Sequence, residues 1–244
     1  MKIKLIACDV LTRELNLVTA KSKHIFDTTF LPFGLHGTPS MLRERLQAEI
    51  DATEGKGYDY IVLGYGLCSR GTADLIARSV PIVITRAHDC ITLFLGSRAR
   101  YSREFIENPG TYYYSAGWIE RSEGEIEQGY ISDQKEKAAQ ERYLEYVEKY
   151  GEDNAKFLLD QEQQWLSHYT RAAFVDTGVG AIEDYREFTE RIAATHGWEY
   201  QEVEGDTSLI KRLADADWDG DEFIIVKPGQ RIVESFDEKV LNAE

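Results

Sequence analysis

The chain of 244 residues carries 28 Lys and Arg against 43 Asp and Glu, a formal charge of −15 at pH 7, with a pI near 4.8. A chain of this length supplies one compact domain of two lobes or two small domains, each with a core of its own. So acidic a balance offers no cationic footprint for a phosphate backbone or an anionic bilayer, which argues against nucleic acids and membrane surfaces as partners. Three cysteines, odd in number and far apart, make no disulfide framework.

Residues 2–7, Lys2-Ile3-Lys4-Leu5-Ile6-Ala7, predict a first strand, and residues 11–21 the helix after it. Charges at Asp9, Arg13 and Glu14 break the apolar stretch too early for a signal peptide. No apolar run approaches the roughly 18 residues that would span a bilayer. A soluble, cytoplasmic protein is the expectation. Residues 25–31 read as extended and stop at Pro32. Thr38-Pro39 then opens a helix with Met41, Leu42, Leu46 and Ile50 on one face, Thr38 as its cap and Pro39 at the first helical position. Residues 58–64 predict a buried third strand, 72–79 a short helix and 81–85 a fourth strand. Helices at 91–96 and 98–107 follow, and Pro109-Gly110 turns the chain into the aromatic run Tyr112-Tyr113-Tyr114.

From 131 to 168 the composition shifts to Glu, Lys, Gln and Ala with Tyr, Leu and Trp at helical spacing, the mark of an acidic helical hairpin. The last third restores the earlier rhythm: strand 172–176, helix 182–196, strand 198–203, helix 208–216, strand 222–226. The predicted fold is α/β, a Rossmann-like parallel sheet in two pseudo-equivalent lobes with an inserted acidic helical hairpin. The first lobe would cover residues 1–118, the insertion 119–170 and the second lobe 171–244.

Cys8 directly follows the first predicted strand, His36 the second, Cys68 the third and Cys90 the fourth. In an open parallel sheet the loops at the carboxyl ends of the strands line one crevice. These four residues are therefore expected to meet although tens of residues separate them. Three thiolates and an imidazole are a standard zinc set, and three thiolates from separate loops also suit an iron–sulfur cluster. No CxxC knuckle accompanies them, so the argument is topological, and three inert buried thiols are the plainer alternative.

The surrounding loops add candidates. Gly64-Tyr65-Gly66-Leu67-Cys68-Ser69-Arg70-Gly71 has three glycines and an arginine. Asp89 is placed to cap a helix whose first turn holds Cys90, where the helix dipole favours thiolate. Asp9 and His88 are the acid–base candidates, each with an ordinary loop or capping role as its alternative. Arg70, Arg86, Gly178 and Lys227 are candidates for gripping a small, anionic substrate. His24, His168 and His196 lack such company and read as surface residues. The later loop Asp176-Thr177-Gly178-Val179-Gly180 has no cysteine, which argues against a racemase with one thiol per lobe and for a ligand cluster in the first lobe.

Several segments together resemble a known family. Leu31-Pro32-Phe33-Gly34-Leu35-His36 with Pro39, the Tyr65-Gly66-Leu67-Cys68 loop, His88-Asp89-Cys90-Ile91 before Leu95-Gly96-Ser97, and Pro109-Gly110-Thr111-Tyr112-Tyr113 with Gly117-Trp118 are similar to domain-of-unknown-function family 1638. The family pattern has Cys-Gly after the first strand and an acidic pair before the third cysteine. Here Asp9 follows Cys8, and His88 stands in place of the first acid. The resemblance implies a family of anaerobic bacteria and methanogenic archaea with no established activity, in a one-carbon context beside corrinoid-dependent methyltransferases. It leaves two readings open: a metal protein with zinc or an iron–sulfur cluster, or a metal-free, small-anion-binding accessory protein of a corrinoid methyltransferase system.

Overall fold

A computed structural model describes residues 1–121, 143–144, 146–152, 154–156 and 168–244. Most of the helical hairpin expected at 119–170 lies outside these residues. In chain order, β1 (Lys2–Cys8) runs through a 3-10 turn (Asp9–Leu11) into α1 (Thr12–Thr19). Next come β2 (Ile25–Leu31), a second 3-10 turn (Phe33–Gly37), α2 (Pro39–Asp51), β3 (Tyr60–Gly64) and β4 (Ile82–Thr85). Then follow α3 (Cys90–Leu95), α4 (Arg98–Glu107), β5 (Thr111–Tyr114), β6 (Arg171–Asp176), α5 (Ile182–His196) and β7 (Glu199–Glu204). The chain closes with α6 (Ser208–Asp215), β8 (Phe223–Val226), β9 (Ile232–Glu234) and β10 (Leu241–Ala243). Among the described residues no helix is long and apolar enough to cross a membrane.

The chain divides into two compact units. The first comprises Met1–Arg103, Thr177–Val179 and Glu204–Glu244 and holds a five-stranded sheet of order β2-β1-β3-β4-β8. β1 pairs parallel with both β2 and β3, and β3 parallel with β4. The α/β class with a parallel-dominated sheet is thus as predicted. Ile3, Ile61, Val62, Leu63, Ile82, Val83 and Ile84 are fully buried, so both faces of the central strands are covered and no polar face is left to alternate with. β2 lies at the edge, and its residues are mostly exposed or half-buried.

Two expectations fail locally. Residues 72–79 form no helix. Cys68, Ser69, Arg70 and Asp74 all have positive φ, and the chain beyond them is extended: Asp74 N–H donates to the Ile232 carbonyl at 2.7 Å, and Ala77 N–H to that of Gln230 at 3.0 Å. Pairing with a distant segment satisfies these backbone groups in place of a helical ladder. At α2, Pro39 stands at the start as expected, but Thr38 makes no side-chain capping bond.

The last third does not build an equivalent second parallel lobe. β8 joins the first sheet antiparallel to β4, with Thr85 opposite Phe223 and Ile82 opposite Val226. Arg86 fastens this seam, donating to the Phe223 carbonyl at 3.3 Å and to the Leu241 carbonyl.

The second unit, Glu104–Asp176 with Gly180–Val203, has a three-stranded sheet of order β5-β6-β7. Its core is the aromatic run itself: Tyr114, Ile119, Phe174, Tyr185 and Ile192 are buried together, with Tyr112 and Trp118 packed on them. Tyr114 meets Trp118 edge-on at 4.8 Å between ring centroids, the arrangement that the ring quadrupoles favour.

Candidate metal centre

The order β2-β1-β3-β4 fixes where a ligand crevice opens. The chain leaves β1 toward β2 on one side and then crosses to β3 on the other, so β1 and β3 flank a topological switch point. Cys8 is the last residue of β1, paired with Leu31, while its predecessor Ala7 pairs with Gly64 at the end of β3. A Cβ on Gly64 would come 2.5 Å from the Ala7 Cβ, so only glycine lets the two strand ends approach this closely.

Beyond β3, the loop that carries Cys68 is fastened to the loop beyond β4. Leu67 N–H donates to the Ala87 carbonyl at 2.8 Å and Cys68 N–H to the His88 carbonyl at 2.9 Å. Gly66 makes this possible, since a Cβ there would lie 2.6 Å from the Ala87 carbonyl oxygen. Cys68, Ser69 and Arg70 then take φ of 46°, 54° and 70°. Three successive L-residues in the left-handed region cost roughly 1–2 kcal/mol each, and such strain tends to gather where function requires a shape. Asp89 caps α3 as expected, accepting from Ile91 N–H at 3.0 Å and from the Tyr101 hydroxyl at 3.2 Å. Cys90 is the first residue of that helix.

The three thiols share one electrostatic environment. Cys68 feels Cys8, and Cys90 feels both. Cys8 is buried, while Cys68 and Cys90 keep an accessible facet. Burial pushes the Cys8 and Cys68 thiols up to about 12. Burial, and then Asp89, push Cys90 well above its ordinary value. The pull toward thiolate expected at the first turn of α3 is therefore outweighed by desolvation. The backbone of Val10 and Asp9 nonetheless favours thiolate at Cys8, and that of Gly66 at Cys68, against the larger effect of burial. With the side chains as placed, no group of three or more His, Cys, Asp or Glu among the described residues stands close enough together to hold a metal ion.

Tyr65, which sequence reasoning did not single out, shares the electrostatic environment of these thiols. It is 2 % exposed, and its ionisation is suppressed first by burial and then by Cys8, Cys68, Asp9 and Cys90. Its hydroxyl is buried with no hydrogen-bond partner among the described residues. The available signal was an aromatic residue between the two glycines of a strand-end loop.

The remaining candidates are dispersed. Asp9 begins the 3-10 turn after Cys8, half-buried. His88 is exposed and stacks on Tyr101 at 6.0 Å. His36 is exposed, stacks on Phe33 at 4.3 Å, and sets its Nδ1 2.6 Å from the Phe33 carbonyl. A ring nitrogen fixed on a carbonyl leaves Nε2 as the coordinating atom. Arg70 pairs with Glu234, and Arg86 is engaged by strand carbonyls. Gly178 is exposed at φ +73°. Lys227 is exposed, its amide donating to Gln230 Oε1 at 3.0 Å. His24 lies 3.2 Å from the Asp215 carbonyl, and His196 stacks on Trp198.

The glycine-spaced loop of Cys68, bound to the His88-Asp89-Cys90 loop, sits within a sequence match over residues 30–214 to the family described as "Protein of unknown function (DUF1638)". The chain belongs to the DUF1638 family. The matched stretch takes in His36, Cys68, His88 and Cys90, and Cys8 lies upstream of it. No curated protein and no solved structure matches the chain significantly.

Proposed function

We propose that this DUF1638 member binds a thiophilic metal centre through Cys8, Cys68 and Cys90, and serves as an enzyme or accessory factor of one-carbon metabolism linked to corrinoid methyl transfer. The observation that carries the reading is three cysteines from three strand ends, mutually coupled at the switch point of one parallel sheet. Zinc is the first metal, with an iron–sulfur cluster as the neighbouring option for the same three thiolates. Rotating a cysteine χ1 between staggered wells moves its sulfur by about 3 Å. Convergence on a metal needs the sulfurs to move from the positions they hold in this structure.

His36 Nε2 as fourth ligand would close the site and make it structural. With His36 outside the coordination sphere, a bound zinc would polarise a substrate thiol, amine or water at its open position. Around such a centre the chain's own groups divide the work. The backbone of Val10 and Gly66 favours thiolate at Cys8 and Cys68, Tyr65 is a buried, neutral phenol, and His88 stands exposed at its loop. The one-carbon context rests on the family resemblance.

The second reading is a metal-free protein that grips a small anion through Arg70, Arg86, Gly178 and Lys227 while the cysteines only pack. It has less support, because Glu234 already engages Arg70 and backbone carbonyls occupy Arg86. Metal analysis of anaerobically purified protein separates the two. The expected result is close to one zinc, or one cluster with brown charge-transfer absorption, per chain. Less than about 0.2 metal per chain, together with three thiols that react freely, overturns the first reading.

A further inference from the structure

β2 is the outer strand of the five-stranded sheet, and no other described strand pairs with its free side. Its residues, Ile25-Phe26-Asp27-Thr28-Thr29-Phe30-Leu31, run beside β1 in an unbroken parallel register. Ile25 N–H donates to the Met1 carbonyl at 3.0 Å, so Ile25 and every second residue after it turn their backbone polar groups toward β1. Phe26, Thr28 and Phe30 turn theirs outward. Exposed edges are ordinarily blunted by a proline, a lysine, a bulge or a very short strand, and β2 has none of these. Ile25 is 70 % exposed there. The one charge on the strand, Asp27, is engaged by Lys4 Nζ at 3.2 Å and by the Tyr58 hydroxyl.

A twofold axis through Thr28 matches this edge to itself. In an antiparallel pair, Thr28 faces Thr28 of the second copy, Phe26 faces Phe30 and Ile25 faces Leu31. The three outward-turned residues then all fall at hydrogen-bonded positions and exchange about six backbone hydrogen bonds. Aromatic rings stand opposite one another on one face of the sheet. On the other face Asp27 stands opposite Thr29, whose hydroxyl oxygen accepts from Lys4 Nζ at 2.7 Å, which brings each carboxylate beside an ammonium of the second copy. The neighbouring registers are poorer. An axis at Asp27 sets the two carboxylates against each other, and an axis at Thr29 sets Phe26 opposite Pro32, which has no N–H to donate.

We propose that β2 is a self-association edge: two copies of this chain pair their β2 strands antiparallel about Thr28 and join their sheets into one. The inference is independent of the metal reading.

The test is sedimentation equilibrium on the full chain, as wild type, Thr28→Pro and Ile25→Lys. Proline at Thr28 removes an N–H that the chain's own sheet does not use, and lysine at the exposed Ile25 restores an ordinary edge guard. The expected result is a wild-type mass twice that of the 27.9 kDa chain, with both variants dissociating at least about tenfold more readily. The amides of β2 should also be protected from hydrogen exchange in the dimer and lose that protection on dilution. A wild-type chain that stays monomeric or forms a larger assembly throughout the micromolar range, a dimer that either folded variant preserves, or β2 amides that exchange equally in dimer and monomer, overturns the proposal. Far-ultraviolet circular dichroism shows whether Thr28→Pro folds, and where it does not, Ile25→Lys alone decides.

Discussion

The amide of Cys68 donates a 2.9 Å hydrogen bond to the carbonyl of His88, so the loops after β3 and β4 are one fastened unit with a thiol in each. Gly66 is the hinge pin of that unit. Gly66→Ala would set a Cβ 2.6 Å from the Ala87 carbonyl oxygen and 3.0 Å from the Asp89 amide nitrogen, and backbone on both sides leaves nothing soft to yield. We expect a loss of about 1–3 kcal/mol in denaturant unfolding, accompanied by metal content well below that of the wild type. A variant of normal metal content would show that the register of the two loops does not control the site.

Removing single ligands tests the convergence directly. Cys68→Ala and Cys90→Ala are each expected to abolish stoichiometric metal, whereas His24→Ala, at the distant Asp215 carbonyl, leaves it unchanged. Dependence on one cysteine alone would point to metal-free nucleophilic chemistry at that thiol. Elemental analysis of the purified variants reads the outcome.

The raised thiols make a pH prediction for the metal-free protein. Cys8 and Cys68 move from an ordinary 9.0 to about 12 in the folded state. Above pH 9 the unfolded chain has lost these protons and the folded chain retains them, so stability falls as pH rises from 9 toward 12, by up to about 1.4 kcal/mol per unit for each thiol. Below pH 9 both states keep the protons and the thiols contribute no slope. At pH 8 the thiolate fraction at Cys68 should be about a thousandfold below that of an ordinary thiol. Alkylation by iodoacetamide, followed by mass spectrometry, is expected to be correspondingly slow until the protein is unfolded.

Asp89 combines a cap with a buried carboxyl whose ionisation is disfavoured first by burial. Asp89→Ala removes the acceptor for Ile91 N–H and should cost about 1 kcal/mol or more. Asp89→Asn keeps an acceptor for that amide while removing the negative charge beside Cys68 and Cys90. It is expected to stay within a few tenths of a kcal/mol of wild type at pH 7, and thermal unfolding of the two variants distinguishes capping from charge.

The left-handed run offers a stabilising substitution. Ser69 is exposed at φ 54°, where glycine carries no Cβ penalty. Ser69→Gly should therefore leave stability unchanged or raise it by up to about 1 kcal/mol, the relief of strain being partly offset by the freer unfolded chain. A clear loss in Tm would mean that the serine side chain holds the turn.

Much of the fold was legible because its signals are local. The apolar runs of β1, β3 and β4 announce strands buried on both faces, Pro39 marks the start of α2, and Arg98–Glu107 and Ile182–His196 coincide with the predicted helices. The strand-end positions of Cys8, Cys68 and Cys90 follow from the same periodicity, since a strand's end is written within a few residues of the strand itself.

The rest depended on partners far along the chain. Residues 74–77 have a helix-compatible composition, yet they pair with 230–232 because that distant segment completes their backbone hydrogen bonds. β8 reads as one more strand of an α/β rhythm, and only the long-range pairing with β4 sets its antiparallel direction. Cys90 sits at the helix start that local sequence foretells, but burial by the assembled loops, and not the helix dipole, governs its proton. Arg86 looks like an anion handle until the strands of the C-terminal segment supply carbonyls for it. The sequence by itself determined the elements and the addresses of the three thiols. Tertiary structure decided which groups are desolvated, which are already satisfied, and that the Tyr65 hydroxyl is left unsatisfied among the described residues, because desolvation and hydrogen-bond satisfaction belong to the packed chain and not to any stretch of it.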